Sequence, residues 1–298
     1  MPGDALELND FIRHCEVETI ESAMLEDLYS GDITTEATVP DDHRSKGVIR
    51  AKSSGVVAGI RVAQMIFSMS KNPIAFTARK KDGDVVAAGD VLAEAVGKTE
   101  TLLVCERTVL NFMQRMSGIA TKTAEFVALI KHTKASLLDT RKTAPGLRFF
   151  DKEAVKLGGG TNHRIGLFDM MLIKDNHIDA SGSVQEAIRR AKEYRKRKML
   201  DVKLEVEVRS LEELQAALPF TPDIIMLDNF SLDDLRKAVG IVRAKKASIQ
   251  LEASGGVSKE TIGAIAETGV DFISVGELTH SVTAMDISMK ISPIGSTI

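Results

Sequence analysis

The chain has 298 residues, 44% of them apolar and 27% charged, with a formal net charge of −3. That length allows a substantial buried core, in two domains or in one barrel with an appendage. The charge balance argues against nucleic acid as a bulk electrostatic partner, so any cationic site must be local. Cys15 and Cys105 are too few for a disulfide framework, and neither belongs to a Cys-x-x-Cys pair. Free thiols in a reducing compartment are the expectation. No apolar run approaches the ~20 residues of a membrane span, and a basic-then-apolar signal pattern is absent, so a cytoplasmic location is expected.

Residues 6–29 carry apolar side chains at Leu8, Phe11, Ile12, Cys15, Ile20, Met24 and Leu28, a helical spacing. Ser30, Gly31 and Asp32 stop that helix, and a new segment begins at Thr34 and Thr35. Short β-rich runs follow at 47–51, 55–59, 74–79 and 91–96, with a helix over 60–70 between the second and third. Turn signals at 82–84 and 88–90 separate the later runs, which points to an α+β domain with a small, mostly antiparallel sheet. The 82–93 stretch is similar to turns of lipoyl or biotinyl carrier domains. Lys80 and Lys81 precede the turn instead of standing at its tip, so packing is the preferred reading.

Residues 99–133 read as helical, with a break near Ser117 and Gly118. Arginines on this helix, Arg107 and Arg115 among them, read on composition as a solvated face. The break is taken as the domain boundary: an α+β domain over 1–117 and a catalytic domain over 118–298. The tail after about residue 280 is expected to return to the N-terminal domain.

Beyond the break, apolar runs end at 137–138, 171–173, 204–208, 224–227, 249–251 and 272–275. Helices are expected over 183–198, 210–218, 231–244 and 258–268, opened by Ser183, Ser210, Ser231 and Ser258 as N-caps. Strands alternating with helices of this length make a parallel array, and about six of them suggest an incomplete (β/α) barrel. A glycine fingerprint of the dinucleotide-binding kind is missing after the first strand.

Each strand ends in a polar or glycine signature, and in such barrels the strand ends converge on one mouth. Arg141, Lys142, His163, Arg164 and Lys174 form a cationic half. Like charges facing one cavity call for phosphates or carboxylates, which a guanidinium grips as a fork and an ammonium as a point charge. His163, beside Arg164, reads as a hydrogen-bond donor to an anion. Glu205 and Glu207 share one face of a strand and need a polar task there. With Asp228 they can hold sugar hydroxyls or Mg²⁺, or else pair with lysines. The turns at 254–256 and 274–276 offer backbone amides to a monophosphate. A phosphoribosyl donor carries all the matching groups: a 5-phosphate, ribose hydroxyls and pyrophosphate.

These residues stand in segments that resemble the quinolinate phosphoribosyltransferases. The segments are GDITT at 31–35, ERTVLNFMQRMSGIAT at 106–121, DTRKTAPGLR at 139–148 and KEAVKLGGGTNHRIGLFDMMLIKDNH at 152–177. They continue in order with EVEV at 205–208, MLDN at 226–229, EASGGV at 252–257 and SVGELTHS at 274–281. The resemblance implies a homodimer in which Arg107 reaches the neighbouring subunit's site, against the solvated-face reading. It implies that Arg141, His163, Arg164 and Lys174 contact two carboxylates, with Thr140 and Lys142 nearby and Lys142 also near pyrophosphate. Lys142, Lys174, Glu207 and Asp228 are the implied catalytic set, with Glu207 and Asp228 at ribose and Mg²⁺. Ser254, Gly255, Gly256, Ser274, Val275 and Gly276 would cradle the 5-phosphate. Whether Glu205 or Glu207 faces the ribose stays open. The implied reaction is phosphoribosyl transfer to quinolinate with decarboxylation, in NAD biosynthesis. The alternatives are a related transferase acting on another aromatic acid, a lyase using Lys142 or Lys174 as a Schiff base, and a non-catalytic anion binder.

Overall fold

The computed structural model describes residues 5–245 and 248–294. In chain order it has α1 (Ala5–Leu28), α2 (Ile33–Thr38), β1 (Arg44–Ala51), β2 (Gly55–Val56), α3 (Ile60–Met69), β3 (Ala75–Ala78), β4 (Val85–Val86), β5 (Val91–Lys98) and α4 (Thr99–Ile130). Then come β6 (Ser136–Leu138), α5 (Arg148–Leu157), β7 (Met171–Ile173), α6 (Asp175–Ser181), α7 (Val184–Lys198), β8 (Leu204–Val208) and α8 (Leu211–Ala217). The last elements are β9 (Ile224–Asp228), α9 (Leu232–Lys245), β10 (Gln250–Ser254), α10 (Ile262–Ala266), β11 (Phe272–Ser274), α11 (Glu277–His280) and β12 (Ile287–Pro293). They form two compact units. One holds 5–124, Ala144–Gly159 and 280–294; the other holds Glu125–Thr143 and Gly160–Thr279.

The first unit is α+β. Its antiparallel sheet runs β12-β1-β5-β3, with β2 and β4 as a separate two-stranded ribbon. Ile49, Leu92, Ala93 and Ala95 of the sheet, Ile66 and Phe67 of α3, and Met113 and Met116 of α4 are buried in its core. Arg61 on α3 ties three helices together by forking onto Glu16 of α1 and Glu153 of α5, at 2.7 and 2.6 Å.

The expected break in the long helix is absent: α4 continues through Ser117 and Gly118. Both residues serve close packing. A Cβ at Gly118 would stand 2.2 Å from the Thr283 carbonyl oxygen. Ser117 Oγ accepts the Ala58 N–H at 2.9 Å and donates to the Ala58 carbonyl at 3.0 Å. The solvated-face reading also fails at Arg115, whose Nε and Nη2 each donate to a carboxylate oxygen of the fully buried Asp151 at 2.8 Å.

The second unit is a parallel sheet in the order β6-β11-β10-β9-β8-β7, with helices between its strands. β6 and β7 are its two ends and do not pair, so the barrel is incomplete, as expected. Ser183, Ser210 and Ser231 cap their helices by accepting the N–H three residues on, at 3.2, 3.3 and 3.2 Å. Ser258 does not cap a helix. Its N–H is taken by the Thr261 hydroxyl at 2.9 Å, which closes a turn and delays α10 to Ile262.

Candidate active site

The site is assembled where the barrel strands end. Past β6 the chain runs through buried Asp139 to Thr140, Arg141 and Lys142, and the last two are exposed. The Lys142 N–H donates to the Thr140 hydroxyl at 3.0 Å, and the Thr279 hydroxyl donates to the Lys142 carbonyl at 3.0 Å. A turn and a tether thus fix the backbone that carries these cations. Across a parallel bridge between Leu138 and Thr161, the next segment runs alongside β6 and delivers His163 and Arg164. Asp139 accepts the His163 N–H at 2.8 Å.

Arg164 is almost fully buried and donates to the Met170 carbonyl at 3.2 Å. Burial first, and the Arg141 charge second, push its guanidinium below the ordinary arginine value. The charges of Glu205 and Asp169 offset this in part, and a bound anion would relieve the remainder.

On the next two strands, Lys174 follows β7 and Glu207 lies near the end of β8. Lys174 Nζ stands 2.5 Å from Glu207 Oε2. At the end of β9, Asp228 accepts a hydrogen bond from the Asn229 side-chain amide at 2.8 Å. Gly255 and Gly256 after β10 both have positive φ, at 93° and 58°. A Cβ at Gly255 would fall 2.2 Å from Asn229 Oδ1, so only glycine lets these neighbouring strand ends approach. Ser274 at the end of β11 is buried, and its hydroxyl has no hydrogen-bond partner among the described residues.

Two residues sit differently from the sequence expectation. The Val275 N–H donates to the Leu138 carbonyl at 2.9 Å, so that amide serves the β11–β6 junction and is spent there. Both ring nitrogens of His163 face protein. Nδ1 accepts the Arg164 N–H at 2.8 Å, and Nε2 lies 3.0 Å from Glu205 and 3.5 Å from Glu252. Arg107 is exposed on α4 in the α+β unit and is not among the groups gathered on the barrel strands.

Beneath the mouth, His163, Glu205 and Glu252 form a buried trio, with both glutamates fully buried. Burial opposes a charge on the His163 ring, and the two carboxylates outweigh it, lifting its pKa to about 10. Burial, then the Glu252 charge, raises Glu205 to about 7. The trio therefore keeps a proton that isolated carboxylates would lose at neutral pH. Glu205 is thereby occupied in the interior, whereas Glu207, two residues further along the same strand face, reaches Lys174. Glu252 and Asp139 were not among the expected site residues. Their signal was a charged side chain at an inward or terminal strand position.

The family model described as quinolinate phosphoribosyl transferase, C-terminal domain, matches residues 119–290, and its N-terminal counterpart matches 32–117. A curated Arabidopsis thaliana protein, nicotinate-nucleotide pyrophosphorylase [carboxylating], chloroplastic, is 43% identical over 288 residues, covering 91% of this chain and 81% of that protein. A probable nicotinate-nucleotide pyrophosphorylase [carboxylating] from Bacillus subtilis is 42% identical over 268 residues and covers 90% of each. The solved nicotinate-nucleotide pyrophosphorylase from Francisella tularensis superposes with a TM-score of 0.86 at 40% identity, covering 94% of this chain and 96% of that one. With both units matched in order along nearly the whole chain, this protein belongs to the quinolinate phosphoribosyltransferase family.

Proposed function

We propose that the chain transfers the phosphoribosyl group of 5-phosphoribosyl 1-pyrophosphate to quinolinate with loss of CO₂. The products are nicotinate mononucleotide and pyrophosphate, and the step belongs to NAD biosynthesis. One observation carries the reading: the buried Arg164 guanidinium set against the Arg141 charge, a pairing that calls for an anionic ligand. A diacid offers each arginine a carboxylate, with Lys174 as a third cation and Lys142 turned to pyrophosphate. Glu207 and Asp228 hold ribose hydroxyls. The 254–256 turn, with the orphaned Ser274 hydroxyl and Gly276, receives the 5-phosphate.

In the first step the pyridine nitrogen attacks the ribose carbon as its bond to pyrophosphate breaks. Lys142 and Lys174 hold charge that the leaving group gains. The ring nitrogen is then quaternised and positive. Its positive charge stabilises the carbanion left at the adjacent carbon when that carboxylate departs as CO₂, and a solvent proton adds to that carbon to complete the product. Holding the two reactants in register supplies most of the rate. The hard oxygen donors of Glu207 and Asp228 suit Mg²⁺, which is commonly held by one or two carboxylates together with substrate phosphates. A Mg²⁺ ion held by Glu207 and Asp228 would supply charge neutralisation for the departing pyrophosphate.

The working unit of this reading is a homodimer, with Arg107 completing the neighbour's site. Its compartment is the cytoplasm, where the free Cys15 and Cys105 stay reduced. The test is release of labelled CO₂ from carboxyl-labelled quinolinate, expected only with both the phosphoribosyl donor and Mg²⁺ present. Folded protein that releases none would end the proposal. Nicotinate, with one carboxylate, is the control and should be turned over poorly.

A further inference from the structure

Among the described residues, four other than glycine hold a positive φ: Tyr29 at 35°, Met199 at 52°, Thr221 at 46° and Asn229 at 56°. Three of them stop helices, where a left-handed residue is common: Tyr29 follows α1, Met199 caps α7, and Thr221 closes the 3-10 turn at 218–220. Asn229 ends a strand instead, one residue past β9 at the mouth of the barrel. Backbone strain kept at such a place points to a task, and asparagine is among the L residues that tolerate it best.

Asn229 touches both parts of the site assigned to the phosphoribosyl donor. Its backbone N–H donates to the Ser254 carbonyl at 2.8 Å, which carries the β9–β10 ladder one step beyond the Asp228–Ser254 pair. Its side-chain amide nitrogen donates to Asp228 Oδ2 at 2.8 Å. A carboxylate can only accept, so the nitrogen must be the end that faces Asp228 and the oxygen the end that faces the glycine turn. An ideal Cβ on Gly255 would fall 2.2 Å from that oxygen and 3.0 Å from the Asn229 nitrogen of the main chain. The side chain is thus wedged between the carboxylate and the turn.

We propose that Asn229 is a positioning residue that joins the Asp228 carboxylate, at the ribose hydroxyls, to the Ser254–Gly256 turn, at the 5-phosphate. This rests on the function proposed above. A phosphoribosyl group carries its phosphate and its hydroxyls on one sugar, so a fixed separation between their protein partners lets both engage at once. The amide holds Oδ2 and leaves Oδ1 of Asp228 for the ligand, and the rotation of that carboxylate is restricted before the donor arrives. Arg141, Arg164 and Lys174 stand at or beside β6 and β7, the two edges of the sheet, whereas Asn229 lies between its inner strands β9 and β10. Its loss should therefore be felt by the donor and not by the aromatic acid.

Asn229→Gly removes the amide and relaxes the backbone, because glycine adopts this φ freely. Its thermal midpoint should stay within about 3 °C of the parent. Calorimetric titration with 5-phosphoribosyl 1-pyrophosphate and Mg²⁺, without quinolinate, should show binding weakened about tenfold, the scale of one hydrogen bond to a charged group. KM for the donor should rise with it, and KM for quinolinate should change less than about twofold. In an Asp228→Ala background the same substitution should weaken donor binding by less than about twofold, because the amide has no carboxylate left to hold. If Asn229→Gly does not fold, Asn229→Asp keeps the shape and the tolerance of left-handed φ but cannot donate, and it should show the same split. A tenfold loss that persists in the Asp228→Ala background would mean that Asn229 acts apart from Asp228. Equal rises in both KM values would mean that it only supports the fold. Either result overturns the proposal, as does unchanged donor binding. A parent chain that binds no donor would overturn the functional reading, and the coupling with it.

Discussion

The Lys174 ammonium and a Glu207 carboxylate oxygen lie 2.5 Å apart at the ends of neighbouring parallel strands. The pair is lopsided: the lysine side chain is 45% exposed and the glutamate 9%. An arriving anion can therefore draw the lysine outward, and the glutamate then has an oxygen free for a hydroxyl. The ion pair reads as a resting contact that substrate opens. Lys174→Ala should lower kcat by about 10²- to 10³-fold, the scale for losing one charge-stabilising donor. Stability should drop by no more than about 1 kcal/mol, since half of the pair is solvent-screened. Labelled CO₂ release and a urea melt on the same preparation check both. A large stability loss with unchanged kcat would reverse the interpretation.

Arg115 and Asp151 make the opposite case. Their two parallel 2.8 Å bonds end on a carboxylate with no exposure at all. Removing the arginine strands a buried charge, so Arg115→Met should cost about 3 kcal/mol. Asp151→Asn in the same chain should recover part of that loss. Urea unfolding of the two single variants and the double variant forms the cycle. Additivity within about 0.5 kcal/mol would mean that the pair is not coupled.

How far this was visible beforehand follows from local chemistry. The barrel strands were legible because short apolar runs ended in turn residues, and three serine caps were legible because an N–H three residues on must find an acceptor. Helix α5 was not anticipated, since its buried face includes Asp151 and Lys152, which break the apolar spacing that marks a helix. The helix break at Gly118 was misread because a glycine that admits a neighbour's backbone looks the same in sequence as one that ends a helix. The cations of the site could be picked out one by one. The partnership of Glu205 with Glu252 could not, because parallel strands bring together residues 47 positions apart (252 minus 205).

Gly255 tests the turn at the end of β10. An added methyl would meet Asn229 Oδ1 at 2.2 Å, on a backbone with φ of 93° that L side chains rarely adopt. Gly255→Ala should cost about 1–3 kcal/mol. If the 254–256 turn receives the 5-phosphate as proposed, the variant should also raise KM for the phosphoribosyl donor more than for quinolinate. Gly240→Ala, with open space around the added methyl, is the control and should change neither KM.

Asp32 caps α2. One of its carboxylate oxygens accepts the Thr34 and Thr35 N–H groups at 3.1 and 3.0 Å, and the other accepts the Thr35 hydroxyl at 2.5 Å. The Thr35 hydroxyl, then the Thr35 N–H, hold the carboxyl below its ordinary range. A folded-state pKa below the unfolded one gives stability that is present above the unfolded value and lost as pH falls through the folded one. Asp32→Ala should therefore cost about 1 kcal/mol at neutral pH. The difference from the parent should shrink once pH drops below about 4. Thermal melts across that range are the check, and a difference that grows on acidification would rule out the cap as its source.

Arg107 decides whether one subunit serves another. It is exposed on α4, and a long cationic side chain there has the reach to enter a neighbouring molecule. If it completes the partner's site, Arg107→Ala and Lys174→Ala are each inactive alone and complement when mixed. In a mixed dimer the subunit that retains Lys174 receives the intact Arg107 of its neighbour, while the other site carries both defects. Random exchange makes half the dimers mixed, each with one whole site of two, so about a quarter of parental activity should return. The two chains need distinct tags, so that mixed dimers can be isolated and their number known. An arginine that acts within its own subunit gives a different result, because every site in the mixture then lacks either Arg107 or Lys174. Isolated mixed dimers without activity would exclude the shared site, and activity that scales with their number would establish it.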